Sequence, residues 1–121
     1  MSKRTLMNNL NLEKISHRTT VQNSYDSLYE FAVRHDTPSS RVAGDVILAT
    51  YNSETFKFDF HEIHSLSTVN IRAVLTILAN HLKTREDAVE YLSEDQIDRL
   101  KVSRGFPAHT EFLQTGCTSE G

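Results

Sequence analysis

The sequence has a single cysteine, no tryptophan, two prolines and no long apolar run. Because Cys117 has no second cysteine to pair with, it cannot form a disulfide within the chain, and this favours a reducing, cytoplasmic location. No apolar segment approaches the roughly 20 residues that span a bilayer, and the basic start lacks an apolar signal region. We therefore expect neither a membrane protein nor a secreted one.

The charge and the absent motifs exclude several functional classes. A net charge of −3 makes direct nucleic-acid binding unexpected, since proteins that bind nucleic acids usually carry a basic face. The sequence has no glycine-rich phosphate loop, and no pair of carboxylates lies in an apolar setting that would shift its pKa. Cys117 lies in a polar tail, where no base would be held beside its thiol. We therefore expect a protein without catalytic residues or a cofactor.

The length of 121 residues leaves room for one domain. Residues 1–20 are polar and mostly basic, and they predict a flexible N-terminal arm. Residues 103–121 hold three of the four glycines, and they predict a flexible C-terminal tail. The folded unit is then a helical domain over residues 21–102.

Helical periodicity dominates this unit and predicts an all-α bundle of four or five helices. The first helix is expected over residues 24–35 with Ser24 as its cap. The second is expected over residues 39–51, after a break at Pro38. Gly44 lies inside the second helix, where glycine costs about 1 kcal/mol relative to alanine, and we interpret it as a point of close approach by another helix.

The clearest helical pattern covers residues 68–83, with Ser67 as the expected cap. Its core stripe is predicted to be Ile71, Val74, Leu75, Leu78 and Leu82. Two short helices should follow, because residues 84–87 and 93–96 both have the spacing of a capping box.

The segment near residues 55–60 is ambiguous. Phe56, Phe58 and Phe60 alternate with Lys57 and Asp59, which is the pattern of a strand. Since the sequence offers no second strand to pair with, we favour an extended connection that buries its phenylalanines between helices. An edge hairpin is the alternative.

Two histidines flank a glutamate in the run His61-Glu62-Ile63-His64. Their i, i+3 spacing is one residue shorter than in a zinc-protease helix, but it still places them on one helical face. A metal site would need a third ligand and preferably a fourth, and the sequence does not bring any to this pair. The simpler interpretation is a one-turn helix that is capped by Asp59 and carries two exposed histidines.

Residues 84–100 carry six acidic side chains against two arginines. They could form an acidic face that binds a basic partner or imitates a phosphate backbone, or they could be solvated first turns of two helices. The candidate partner-binding residues on this face are Glu86, Glu90, Glu94, Asp95 and Asp98.

Three short motifs lie at matching places in a known family: Arg41-Val42-Ala43, Tyr51-Asn52 and Phe58-Asp59-Phe60. On these motifs the chain resembles an uncharacterised family of short bacterial proteins encoded on plasmids and integrative mobile elements. It departs from that family at Tyr51 and Phe60, where tryptophan and leucine are common. The resemblance implies no activity, only the context of an accessory gene on a mobile element.

Three functional hypotheses follow from the sequence. The first is a non-enzymatic accessory protein that acts by binding another protein, with a homodimer as one form. The second is an anti-defence protein or DNA mimic that uses the acidic face. The third is a metal-dependent enzyme centred on His61 and His64.

Overall fold

The computed structural model describes residues 3–105, with side chains from residue 16 onward. It contains four α-helices, α1 (Lys3–Arg34), α2 (Pro38–Tyr51), α3 (Thr68–Thr84) and α4 (Glu94–Ser103), and 3-10 helices at Phe60–Ser65 and Ala88–Glu90. The all-α prediction is confirmed, and because no strand occurs among these residues the hairpin alternative at 55–60 is wrong. The predicted tail beyond residue 105, including Cys117, lies outside the described part of the chain.

Helix α1 is much longer than the predicted helix over residues 24–35. It begins at Lys3 and continues without a break past residue 20, where the sequence predicts the end of the basic arm. The division of the chain into an arm, a domain and a tail stays a prediction. The sequence contains no glycine or proline before Pro38, so nothing local interrupts the helix. Ser24 is therefore not a cap: its hydroxyl lies within the helix and donates to the carbonyl of Thr20 at 2.9 Å.

Helix α2 begins at Pro38, one residue before the predicted start at residue 39. Thr37 Oγ1 accepts from the backbone N–H of Ser40 at 3.1 Å, Ser40 Oγ accepts from the N–H of Thr37 at 2.9 Å, and Pro38 occupies the first turn. This reciprocal pair of bonds fixes the start of the helix. Most residues of helix α2 are buried, and its apolar side chains pack against α1, α3 and α4.

Gly44 lies where α2 meets two other helices, as its position in the sequence predicts. A Cβ atom at this residue would lie 3.6 Å from Ala32 Cβ of α1 and 3.6 Å from Leu100 Cδ2 of α4. Both distances are ordinary van der Waals contacts, so the close approach is real but still leaves room for one methyl group.

The link between α2 and α3 buries only part of its aromatic side chains. Phe56 is buried against the core and its ring lies 6.3 Å from that of Tyr51, whereas Phe58 is half-buried. Phe60 is 73% exposed, so the expectation that all three phenylalanines are buried is wrong for this residue. Phe60 opens a 3-10 helix, and this change of direction breaks the alternation on which the expectation depended.

Helix α3 has the predicted cap, because Ser67 Oγ accepts from the N–H of Asn70 at 3.3 Å. The predicted core stripe is only partly correct. Val74 is fully buried, but Leu75 is 55% exposed and Leu82 is 80% exposed. The buried face of α3, which packs on α1 and α2, consists of Ala73, Val74, Ile77 and Asn80, and only Val74 of these belongs to the predicted stripe.

The last two predicted helices have different outcomes. The capping box of α4 is confirmed, since Ser93 and Gln96 exchange both of its hydrogen bonds. Thr84, by contrast, is the last residue of α3 and does not open a helix. Asp87 caps the 3-10 helix Ala88–Glu90 by accepting from the N–H of Val89 at 3.0 Å.

Helix α4 packs on α1 and α2, and the residue that ends it makes a long-range ion pair. Arg104 Nε and Nη2 donate to the two carboxylate oxygens of Asp45 at 2.6 Å and 3.1 Å. Within the described residues, no helix has the length and apolar character needed to cross a membrane.

Candidate interaction surface

The outer side of α3 carries four large apolar side chains that the fold covers only in part or leaves exposed. We call Ile71, Leu75, Leu78 and Leu82 the apolar stripe; they follow one another at intervals of four, three and four residues. Leu75 and Leu82 are the most exposed members, while Ile71 and Leu78 are partly buried at the edge of the core. This spacing keeps the four side chains on one face over about three turns.

The stripe is exposed because α3 is apolar on more than one side. Ala73, Val74 and Ile77 already fill the space between α3, α1 and α2. The helical repeat places the stripe away from Ala73 and Ile77, and Val74 lies at the border between the two faces. Valine at residue 69 is also exposed, at 70%, but it lies on the other side of the helix from Leu75 and Leu82.

The charges near the apolar stripe have one sign. Helix α3 has no aspartate or glutamate between Thr68 and Thr84. Arg72 lies at a position that flanks the stripe, Lys83 follows Leu82, and Arg85 is the C-cap. All three of these side chains are exposed, so the stripe is bordered by positive charge in a protein whose net charge is negative.

A polar network around Glu86 holds the C-terminal end of α3 against α1. Glu86 Oε1 accepts from Tyr91 Oη at 2.7 Å and from Asn80 Nδ2 at 3.2 Å, and its Oε2 accepts from Arg18 Nη1 at 2.8 Å. Asn80 is 2% exposed, and its Oδ1 accepts from His17 Nε2 at 3.1 Å. The network therefore satisfies a buried amide and links residues more than 60 positions apart.

The same contacts change the acidity of the groups involved. The hydrogen bond from Tyr91, together with those from Asn80 and Arg18, holds the pKa of Glu86 below its usual value despite partial desolvation. Desolvation and the neighbouring Glu86 raise the pKa of Tyr91. Burial raises the pKa of Tyr25, whose ring stacks on that of Tyr91 at 5.0 Å, to about 12. Glu86 is thus an ionised structural group, held by neutral and cationic donors.

The structure separates the five candidate residues of the acidic face into two groups. Glu86 is bound inside the network, and Asp98 lies 3.8 Å from Lys101 with only 20% of its side chain exposed. Glu90, Glu94 and Asp95 are exposed on the 3-10 helix and the first turn of α4. Their role in binding a partner stays a prediction, now limited to three carboxylates.

His61 and His64 lie on the exposed 3-10 helix Phe60–Ser65. Asp59 caps it as predicted, by accepting from the N–H of His61 at 2.9 Å. The two imidazole rings meet edge to face with their centroids 5.3 Å apart. The described residues contain no group of three or more histidine, cysteine or carboxylate side chains that could hold a metal ion.

Sequence reasoning missed the apolar stripe as a surface and the Glu86 network as a structural unit. The 4-3-4 spacing of the stripe is visible in the sequence, but the same segment also contains a second apolar row through Val74 and Ile77. No sequence signal connects Arg18 with Glu86.

The comparisons with known proteins identify a family but no activity. The chain has no significant match among curated proteins or among solved structures. A family model described as "Family of unknown function (DUF7673)" matches residues 22–104. The match begins within α1 and includes all of α2, α3 and α4. Because it covers well over half of the sequence, the chain belongs to the family DUF7673.

Proposed function

We propose that this protein is a non-enzymatic interaction module that binds a helix of another protein through the apolar stripe of α3. The observation that carries the proposal is the exposure of Leu75 and Leu82 at 55% and 80%, on a helix that is well capped and firmly packed on its other side. Contiguous apolar patches on small soluble domains commonly mark binding sites.

The free energy available from covering the stripe is substantial. Full burial of one leucine side chain contributes about 1.5–3 kcal/mol, and most of this is still available at Leu82 and about half at Leu75. The helix that presents them needs no ordering on binding, because Ser67 caps its start and Ile77 and Asn80 anchor its inner face. The entropic cost of association is correspondingly reduced.

The spacing of the stripe favours a helical partner. Apolar residues at alternating intervals of four and three form the seam along which two helices pack with side chains interlocked. An amphipathic helix laid along α3 would bring its own apolar residues between Leu75, Leu78 and Leu82.

The charges favour a partner other than a second copy. Arg72 and Arg85 lie beside and beyond the stripe, and α3 itself offers no carboxylate. A homodimer through α3 would bring two positively charged helices together, whereas a partner helix with flanking glutamates or aspartates would be attracted. A homodimer is accordingly the competing outcome of the experiment below.

The setting that we propose for this interaction is an accessory protein of a bacterial mobile element. The support for it is the resemblance carried by Arg41-Val42-Ala43, Tyr51-Asn52 and Phe58-Asp59-Phe60. The two alternatives have less support from the geometry. A DNA mimic would have only three exposed carboxylates of the acidic face, those of Glu90, Glu94 and Asp95. A metal-dependent enzyme would have only the two exposed imidazoles of His61 and His64, without a third ligand beside them among the described residues.

Site-specific photo-crosslinking in the native host tests the proposal. A benzophenone amino acid is placed at Leu82 in one variant and at Val69, on the other side of α3, in the control. We expect the Leu82 variant to crosslink to one discrete heterologous protein and the Val69 variant to give none of that product. If Leu82 crosslinks only to a second copy of the chain, the apolar stripe is the interface of a homodimer. Equal crosslinking at Leu82 and Val69 would contradict the proposal that the stripe is the binding surface.

A further inference from the structure

A second candidate site lies away from α3, where α1 ends, α2 begins and α4 ends. The residues there line an open pocket of about 280 Å³, which we call the terminal pocket. Its lining includes the small apolar residues Ala32 and Gly44 and the basic residues Arg41, Arg99, Arg104 and His35. The volume is near the lower end of the roughly 300–1,000 Å³ found for small-molecule sites, so the pocket fits a small ligand.

The arginines of the terminal pocket come from different elements and are paired to different degrees. Arg41 donates to Asp36 through Nε and Nη2, and Arg104 donates to Asp45 through the same two nitrogens. Each of these guanidinium groups therefore keeps its Nη1 donors for another acceptor. Arg99 is exposed, and within the described range it makes no hydrogen bond or ion pair to another residue.

The charge balance of the pocket is positive. Three guanidinium groups line the pocket, and two of them are paired with carboxylates, Arg41 with Asp36 and Arg104 with Asp45, which leaves one unbalanced positive charge. This excess is local, since the chain as a whole carries a net charge of −3.

The two serine hydroxyls of the pocket are already used as donors within the fold. Ser40 Oγ donates to the carbonyl of His35 at 2.8 Å, and Ser103 Oγ donates to the carbonyl of Leu100 at 2.7 Å. Their hydroxyl hydrogens are already used inside the fold. The hydrogen-bond donors that remain are those of the arginines and the histidine, and such donors recognise anions.

We infer that the terminal pocket binds a small phosphate-bearing molecule, with Arg99 as the main recognition residue. A planar guanidinium can hold two phosphate oxygens in parallel bonds. Donors that approach from α2, from α4 and from the C-cap of α4 suit a tetrahedral group with three outward oxygens better than a planar carboxylate.

Titration of the full-length, ¹⁵N-labelled protein with inorganic phosphate at constant ionic strength tests this inference by NMR. We expect saturable amide shifts that are concentrated around residues 35–44 and 99–104. Arg99→Gln should weaken binding about tenfold, the effect of losing one charge-assisted contact. Arg72→Gln removes an exposed arginine of α3 and serves as the matched control, which should bind like the wild type.

Acetate and chloride at the same ionic strength provide the comparison anions. Shifts with acetate that match those with phosphate in position and affinity would assign the site to carboxylates and overturn the phosphate inference. Shifts that do not saturate or that scatter over the surface would show only general attraction to positive charge. The same conclusion would follow if Arg72→Gln weakened phosphate binding as much as Arg99→Gln does. Either result would overturn the phosphate inference.

Discussion

The orientation of α3 predicts opposite results for two alanine substitutions only two residues apart. Ile77 is completely buried, so Ile77→Ala removes apolar volume from the core and should lower the free energy of unfolding by about 2–5 kcal/mol. Leu75 is 55% exposed, so Leu75→Ala removes a side chain that is already largely in water. We expect a loss of about 1 kcal/mol or less, part of which the higher helix propensity of alanine offsets.

Urea denaturation followed by far-UV circular dichroism measures this difference. For a domain of this size the m value is about 1–3 kcal/mol/M, so a loss of about 2 kcal/mol moves the midpoint by roughly 1 M. Both variants should keep the m value of the wild type, which would show that they unfold from the same compact state. A midpoint for Leu75→Ala as low as that for Ile77→Ala would refute the orientation of α3 and, with it, the apolar stripe as a surface.

Three further predictions follow from the described contacts. Gly44→Ala should raise the free energy of unfolding by about 1 kcal/mol, measured by the same denaturation, because the added methyl group fits at van der Waals distance and alanine favours the helix; a fall in stability would show that the helices cannot accept it. Glu86→Gln should lower the melting temperature at pH 7 more than the control Glu90→Gln. Since the pKa of Glu86 is lower in the folded protein, its stabilising effect is present above the unfolded value near 4.5 and is lost as the pH falls through the folded value. The difference in melting temperature between Glu86→Gln and the wild type should therefore become smaller in acid. A difference that does not change with pH would contradict this account. Protein purified without added metal should contain much less than one equivalent of zinc by elemental analysis; stoichiometric zinc that disappears in His61→Ala/His64→Ala would overturn that expectation.

The parts of the fold that the sequence predicts well depend on local chemistry. The start of α2 follows from Thr37 and Pro38, and the starts of α3 and α4 follow from the hydroxyls of Ser67 and Ser93. Caps involve residues within about four positions of one another, so the relevant partners are visible in the printed sequence.

The length of α1 and the buried face of α3 depend on contacts that the sequence does not display. The first half of α1 is polar, and polar segments without an apolar period are commonly read as disordered. Yet His17 and Arg18 make hydrogen bonds to Asn80 and Glu86 across the domain. In α3, both Leu75 and Ile77 belong to plausible apolar rows, and only the position of α1 decides which row is covered.

The candidate sites show the same limit. Counting charges over residues 84–100 finds an acidic segment but does not reveal that Glu86 is bound to Arg18 and Tyr91. The terminal pocket joins residues from three helices, and Arg99 looks in sequence like any exposed residue of α4. Both sites exist through long-range packing, which one sequence by itself does not determine.

The most direct test of the proposed interaction is the dissociation constant of the crosslinked partner, measured by isothermal titration calorimetry. The three proteins compared are the wild type, the double variant Leu75→Ser/Leu82→Ser and the control Val69→Ser. Covering the exposed parts of Leu75 and Leu82 together contributes about 2–4 kcal/mol, and each 1.4 kcal/mol is a factor of ten. We predict that the double variant binds at least about 30-fold more weakly and that Val69→Ser binds like the wild type. If the double variant binds as tightly as the wild type, the apolar stripe is not the binding surface.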